Sequence, residues 1–381
     1  MSWLLLSTLL LGAFYAALML RFDAGFRRMA RATDERTGRS RHRPTVSVVI
    51  PARDEEAGIE ACVRSVLAND YDALRDVIVV DDGSTDDTVA RARAMLDGFS
   101  RPGVRTLLLS TPAHASGNKK AALQTGIEAA RGDVILTTDA DCRVRQTWIA
   151  AMSSCFGPRT GYVAGPVVYP GRGGGFAALQ ALEFLGLVAV GAGAIASGRP
   201  ILSNGANAAF RRRAFEAAGG FADEERAGPG DDDILMQRIG YETDWEVAFC
   251  GSPDALVSTA PPADARAFFQ QRLRWGATAP RYRHGRIRPM LVAVYLFYAL
   301  LLGLAIASPF VPAAAPVLAV GLLLKVAGEA PLLVRAVIRF GRTHWLRWFI
   351  PAQALHIPYV VFFPAAGVTV GYRWKGRRLR A

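Results

Sequence analysis

The sequence predicts an α/β domain on a mostly parallel, doubly wound sheet, with transmembrane helices at both ends. Three observations carry this. Between about 44 and 285, short β-branched runs alternate with segments of helical period. Uncharged apolar stretches of membrane length lie before and after that region. Acidic clusters follow the predicted strand ends, where open α/β sheets bind their ligands. At 381 residues, the chain holds one large domain and something more.

Residues 2–20 (SWLLLSTLLLGAFYAALML) contain no charged side chain and suffice for one crossing at about 1.5 Å per residue. A basic run follows, from Arg21 through Arg27, Arg28, Arg31, Arg36, Arg39 and Arg41 to Arg43. A signal peptide puts its positive charge first and ends in a small-residue cleavage site, so an uncleaved anchor is predicted here. The positive-inside rule puts the basic run on the cytoplasmic side.

Thr45–Ile50 (TVSVVI) reads as a buried strand, followed by Ile59, Cys62, Val63, Val66 and Leu67 at helical spacing. Asp76–Val80 is a second strand, and the helix after it is expected to be capped near Ser84–Asp86. Val104–Leu109 is a third strand with Asn118–Arg131 as its helix, and Asp133–Thr138 a fourth. Phe176–Ser197 is nearly a membrane-length apolar run, broken by Gln180 and Glu183. Its place inside the α/β region argues against a crossing, leaving an amphipathic helix at the bilayer surface or an ordinary core helix.

Met290–Phe310 and Pro316–Val334 read as two more spans, the second containing Lys325 and Glu329. As an out-and-back pair they leave Arg335, Arg339, Arg342 and Arg347 cytoplasmic. Phe349–Val370 is apolar but interrupted by Pro351, Pro358 and Pro364. A full third crossing would carry Arg373, Lys375, Arg377, Arg378 and Arg380 to the far side. The segment is therefore expected to dip in and return, or to lie along the interface.

Lys and Arg number 45 against 33 Asp and Glu, a net charge of +12. Much of that excess flanks apolar spans, which explains it without nucleic acid. Cys62, Cys142, Cys155 and Cys250 form no CxxC pair, which argues against a disulfide framework or zinc ribbon and fits a reducing compartment. His42, His114, His284, His344 and His356 show no HExxH or HxH spacing, so a histidine-based metal hydrolase is disfavoured. No GxGxxG follows the first strand and no GxxxxGK[ST] occurs, which disfavours Rossmann dinucleotide and P-loop sites. Carboxylates at strand ends without a glycine cradle point to a nucleotide whose diphosphate is neutralised by a metal.

Five motifs occur in order: VSVVIPARDEE (46–56), VVDDGSTDDT (79–88), TTDADC (137–142), GDDD (230–233) and QRLRW (271–275). Together they resemble the inverting family 2 glycosyltransferases of the GT-A fold, in the membrane-anchored branch with a QxxRW motif. The resemblance covers roughly 45–276. It divides the chain into an anchor (1–21), a basic cytoplasmic linker (22–44), a GT-A catalytic domain (45–262) and a QxxRW interfacial region (263–288). C-terminal membrane segments (289–372) and a basic tail (373–381) follow.

The resemblance implies roles for individual residues. Asp139 and Asp141 match the DxD pair that holds Mg²⁺ or Mn²⁺ against the donor diphosphate. On an extended segment, alternate residues point the same way and can meet one hard cation. Asp81 or Asp82 is expected to contact the base or ribose, with uridine the expected nucleoside, and Pro51, Arg53 and Glu55 are on the same wall. Lys119, or alternatively Lys120, stands where the family places a cation near phosphate, at a helix start. Asp232 aligns with the catalytic base, Asp231 and Asp233 being alternatives because the usual Glu-Asp is Asp-Asp here. Gln271, Arg274 and Trp275 match QxxRW, with Arg274 near the diphosphate and Trp275 beneath the acceptor. Asn207, in SNGAN, is a candidate acceptor contact.

The implied function is transfer of a hexose from a nucleotide-diphosphate donor, UDP foremost, to a lipid or lipid-linked hydroxyl at the inner face of a membrane, a bacterial inner membrane foremost. Polyprenyl phosphate, glycerolipid, sphingolipid and carotenoid acceptors are all compatible. A processive polysaccharide synthase of the same family, and a non-catalytic nucleotide-sugar-binding scaffold, are the competing readings.

Overall fold

The computed structural model describes residues 2–36, 43–112, 115, 118–170, 174–221, 231–278, 282, 284–285, 287–374 and 377–379, with the backbone alone for 231, 372–374 and 377–379. Gly230 and the basic residues Arg39, Arg41, Arg281, Arg283, Arg286, Lys375 and Arg380 lie outside the described residues, as does the side chain of Asp231.

Helix α1 (Ser2–Arg36) leads into β1 (Val46–Ala52), α2 (Ile59–Leu67), β2 (Leu74–Asp81), α3 (Thr88–Asp97), β3 (Arg105–Ser110), α4 (Lys119–Ala129) and β4 (Val134–Thr137). Next come β5 (Cys142–Val144), α5 (Trp148–Ser153), β6 (Thr160–Ala164), β7 (Val167–Val168), α6 (Gly175–Ala196), β8 (Ala208–Arg211) and α7 (Arg212–Ala217). Then follow α8 (Asp231–Glu242), β9 (Glu246–Phe249), β10 (Val257–Thr259), α9 (Ala265–Gly276), α10 (Ile287–Ala307), α11 (Ala314–Arg339) and α12 (Phe349–Val370). A hairpin of β11 (Tyr372–Trp374) and β12 (Arg377–Leu379) comes last.

The main sheet has seven strands in the order β3-β2-β1-β4-β8-β6-β9. Strands β3, β2, β1 and β4 are parallel, and β8 runs antiparallel to both β4 and β6. Every residue of β1 is buried, as a central parallel strand covered on both faces must be. The parallel strands share one carboxyl edge, and the loops that leave it build the site. A small second sheet, β5-β10-β7, braces that edge from the side.

The predicted strands are present within a residue or two of their expected limits. Helix α3 begins at Thr88, and Asp86 supplies the cap expected near Ser84–Asp86, its Oδ1 accepting from Thr88 N (3.0 Å). Ser84 and Asp86 also hold the loop after β1: Asp54 N donates to Ser84 Oγ (3.1 Å) and Glu56 N to Asp86 Oδ2 (3.1 Å). Helix α1 also runs past the membrane-length stretch to Arg36, through residues read as a linker. The reason is packing: Phe22, Phe26 and Met29 recur at helical spacing and are all buried.

Among the described residues, five helices are long and apolar enough to cross a membrane: α1, α6, α10, α11, and α12 with the turn before it. Of these, α6 is the buried one, so the core-helix alternative for 176–197 is what the structure presents. Glycines bring it close to α1: a Cβ on Gly25 would meet the Gly193 carbonyl, and one on Gly193 the Phe22 carbonyl. Small residues allow such backbone approach between apolar helices. Helices α1 and α11 run parallel, with Gly12 against Leu324, Gly328 against Ala16, and Asp23 2.8 Å from Arg335. Helix α12 touches catalytic-domain elements near both ends, Trp348 packing on Gly175 and Gly367 on the α9 backbone. It stays one helix through Pro358 and Pro364.

Replacing Gly25 by Leu would force α1 away from α6. The expected cost is about 1–3 kcal/mol, as for other overpacked interfaces, read as a lower unfolding temperature of the detergent-solubilised protein. Gly303→Ala, on α10 where a Cβ meets nothing within 4 Å, should leave that temperature unchanged.

Candidate active site

Loops from β1 and β2 are stitched into one wall. Asp82 N donates to Ala52 O (2.8 Å) and Arg53 Nη1 to Asp82 O (3.1 Å). The Asp81 carboxylate turns back over its own loop, accepting from Gly83 N (3.2 Å) and Ser84 N (3.1 Å). Gly83 has φ 80°, a left-handed conformation that glycine adopts without strain. Asp82 is buried, its carboxylate 3.9 Å from Arg53 Nη1. Glu55 anchors the wall by its backbone, N donating to Thr88 Oγ1 (2.7 Å). Pro51 is the buried penultimate residue of β1.

Beyond β4 the acidic pair lies on a turn, with Cys142 N donating to Asp139 O (3.0 Å). This corrects the extended geometry assumed for DxD: Asp139 and Asp141 are presented by a tight turn rather than by strand alternation. Asp139 forms an ion pair with Lys119 Nζ, and Asp141 Oδ2 accepts from Thr259 Oγ1 (3.1 Å). Beneath them lie Cys62 and Cys142. Burial, then the carboxylates above, pushes both thiols well up, so neither is a ready nucleophile.

The opposite wall is the start of α8 with the loop 203–207. Asp232 Oδ2 accepts from Gly205 N and its side chain is half-buried. Asp233 is buried, accepting from Ser203 N (2.6 Å) and from the Tyr282 hydroxyl (2.7 Å). Burial, and then the charge of Asp232, raises the Asp233 pKa well above the carboxylate range. Lys119 links the walls. Burial works against its charge, but Asp139 and then Asp232 outweigh that and raise its pKa, with Arg274 as a nearby opposing cation. Asn118 caps the helix that carries Lys119, its side chain accepting from Lys120 N (3.1 Å).

Helix α9 closes the third side. Gln271 Oε1 accepts from Arg272 Nη1 (2.6 Å) and from the Tyr169 hydroxyl (3.3 Å). The Trp275 ring stacks on Phe184, with centroids 5.7 Å apart. The Arg272 guanidinium lies 4.1 Å from the Trp275 centroid.

A sequence model of glycosyl transferase family 21 matches residues 4–381. The chain belongs to that family. The motifs named family 2; what this match carries from that reading is a glycosyltransferase of GT-A type. This family 21 glycosyltransferase is similar to an N-acetylglucosaminyltransferase of Rhizobium meliloti (strain 1021), 29% identical over 252 residues, 62% of this chain and 56% of the relative. It is similar over a shorter stretch to a beta-monoglucosyldiacylglycerol synthase of Synechocystis, 34% identical over 102 residues, 26% of this chain and 20% of the relative. The chain spans about half the length of the curated relatives it matches, from 43% to 56% for three of them. A mannosyltransferase from Pyrobaculum calidifontis, solved with GDP-Man and Mn²⁺, shares the fold at TM-score 0.53 and 22% identity, over 94% of this chain and 99% of its own.

Lys119, Asp139, Asp232 and Arg274 are thus brought together in the family 21 chain, while Arg53, Asp81 and Asp82 lie along the β1–β2 wall. Asn207 is corrected. It is wholly buried, its Oδ1 accepting from Trp148 Nε1 (2.9 Å) and its Nδ2 donating to Pro166 O and Ala255 O (2.8 Å each). Both amide hydrogens are spent and the side chain is out of a sugar's reach, and Gly205 is the loop residue that faces Asp232. Lys120 lies beside a separate surface pocket with Phe221. Sequence reasoning missed Arg272 and Glu183, a buried pair 2.5 Å apart. The signal was present as the one acid in the 176–197 run, which was read only as an interruption.

Asp233→Asn keeps the shape that holds Ser203 and Tyr282, and unfolding should move by no more than a few degrees. Asp233→Ala leaves both donors without their acceptor and should cost about 1–3 kcal/mol per orphaned buried group, again read from thermal unfolding.

Proposed function

We propose that this protein is a membrane-bound, metal-dependent, inverting glycosyltransferase that moves a sugar from a nucleoside-diphosphate donor to the hydroxyl of a lipid or lipid-linked acceptor. The observation that carries the reading is Lys119, ion-paired with Asp139 on one side of the cleft and within electrostatic reach of Asp232 on the other. A diphosphate needs cations, an acceptor hydroxyl needs a base, and both are at hand across one cleft.

Asp139 and Asp141 fit a hard divalent ion: both present carboxylate oxygens at an accessible turn, and a cation, Lys119, already pairs with Asp139. Among the described residues, no third His, Cys, Asp or Glu joins them, so the donor phosphates and water would complete the sphere. When bound, Mg²⁺ or Mn²⁺ supplies charge compensation to the diphosphate. Lys119 and Arg274 bind and orient the phosphates, and offset the charge of the leaving nucleoside diphosphate. The β1–β2 wall, with Arg53, Glu55, Asp81 and Asp82, receives the nucleoside, which we take to be uridine.

Asp232 is held by Gly205 N and is more exposed than Asp233. It takes the proton from the acceptor oxygen as that oxygen attacks the anomeric carbon opposite the departing phosphate. One carboxylate on that face is enough, and the configuration inverts. Buried Asp233 holds the loop 203–205 in place. Gln271 and Trp275 lie on the acceptor side.

The membrane setting is supported by the helices. The ends of α1 and α11 nearest the catalytic domain carry Arg27, Arg28, Arg335 and Arg339, the pattern of a cytoplasmic face, and we place the protein at a bacterial inner membrane. That α12 packs on the domain near both ends favours a helix along the membrane surface over a full crossing.

Asp232→Asn should lower transfer about 10²–10⁴-fold, the usual worth of a general base, with binding of the nucleotide sugar retained. Incubating membranes with radiolabelled UDP-sugars and extracting lipid reads the transfer, and equilibrium binding of UDP-sugar to the purified variant reads the retention. Unchanged transfer in that variant would remove Asp232 from the role, and ethanol-insoluble polymer in place of a lipid-soluble product would favour a polysaccharide synthase.

A further inference from the structure

Helix α9 carries Gln271 and Trp275 one turn apart, and the side chain of Arg272 between them is fully buried. Three groups meet its guanidinium. Nη2 lies 2.5 Å from Glu183 Oε2 on α6, Nη1 donates to Gln271 Oε1 (2.6 Å), and Cζ lies 4.1 Å from the centroid of the Trp275 ring. Glu183 is held in turn from α12, its other oxygen accepting from the Tyr359 hydroxyl (2.8 Å). The next residue of α6, Phe184, stacks on Trp275 (5.7 Å) and on Tyr169 (4.5 Å).

These contacts dictate more than packing. Arginine has donors and no acceptor, so an amide bonded to it must turn its oxygen that way. The Tyr169 hydroxyl donates to the same Gln271 oxygen (3.3 Å). What Gln271 has left is its amide N–H2, on the other side of a planar group. An ion pair kept for stability alone would be a poor choice here, because apolar residues of similar volume often do as well or better. Among the described residues the buried Arg272 Nε has no hydrogen-bond partner, a cost that an apolar side chain would not carry.

We propose that Glu183 and Arg272, neither of them a named position of QxxRW, are positioning residues for sugar transfer: Glu183 clamps Arg272, and Arg272 makes Gln271 a hydrogen-bond donor and fixes the Trp275 ring. Both act through the two residues placed on the acceptor side, so the role rests on the function proposed above. The guanidinium over Trp275 adds a cation–π contact that orients the ring. Because the pair reaches the acceptor side and not the β1–β2 wall, losing it should slow transfer and spare donor binding.

The test compares Glu183→Met, Arg272→Met and the double variant, each as the full chain. Three quantities are read: thermal unfolding in detergent, equilibrium binding of UDP-sugar, and transfer from radiolabelled UDP-sugars to lipid in membranes. Each single variant strands a buried partner and should unfold several degrees lower. The double variant removes both charges, and its unfolding temperature should return to the wild-type value or exceed it. Transfer should not return with it. It should stay down about tenfold or more, in kcat rather than in KM for the UDP-sugar, with UDP-sugar affinity unchanged. A merely structural pair would recover transfer together with stability, and that result would overturn the assignment. Arg272→Lys decides the matter if the double variant does not fold. Its ammonium can still pair with Glu183 but lacks the planar face over Trp275, so transfer should fall several-fold with folding intact, and wild-type transfer would overturn the assignment. Absence of transfer by the unaltered chain is a different failure: it sinks the enzyme reading and takes this role with it.

Discussion

Carboxylates gathered at one edge of a sheet repel each other, and the site is organised by how that repulsion is offset. Lys119 is the offset within the protein. It pairs with Asp139 and feels Asp232 across the cleft, so the two acidic walls are held together by one ammonium. Other acids at this edge are offset otherwise. Asp81 is absorbed by its own turn, Asp86 by Thr88 and by the loop after β1, and Asp233 by a backbone amide and a phenol. What remains at the cleft is a small set of side chains with unfilled electrostatic demand.

A second constraint ties the soluble and apolar halves together. Helix α6 leaves the catalytic domain, packs glycine-to-backbone on α1, and carries Glu183 to the far side of the QxxRW helix. Breaking such a buried pair by removing one partner is costly because the other charge is stranded. The Glu183–Arg272 contact therefore fixes α9 relative to the membrane helices, and with it Arg274 and Trp275. Positioning α9 through α6 gives a physical reason for joining the α/β region and the apolar helices in one chain.

Much of this was legible in the sequence because it is local. The β-branched runs specify β1, β2 and β4, and the acids that follow them fall at the carboxyl edge for topological reasons alone. The apolar stretches found α10 and α11 for the same reason. What escaped was tertiary. Asn207 has the side chain of a sugar contact, but three partners distant in sequence consume its amide. The Glu183–Arg272 pair spans 89 residues, and no spacing rule reaches that far. Asp139 and Asp141 were expected on an extended backbone and lie on a turn, since two aspartates flanking an alanine look alike in sequence on a strand and on a turn. In α12 the prolines suggested a segment that dips in and returns or lies along the interface, and the helix runs unbroken through Pro358 and Pro364.

The central claim is that Asp139 and Asp141 hold a divalent ion only in partnership with the donor's diphosphate, Lys119 answering for Asp139 in the meantime. Electron paramagnetic resonance of Mn²⁺ with the purified full chain tests it most directly. The account predicts weak Mn²⁺ binding by the protein alone and a marked gain on adding a nucleoside diphosphate, with phosphorus coupling to the bound ion. Asp139→Asn should abolish that gain. Mn²⁺ bound as well without the nucleotide, or a coupled spectrum that survives Asp139→Asn, would contradict it.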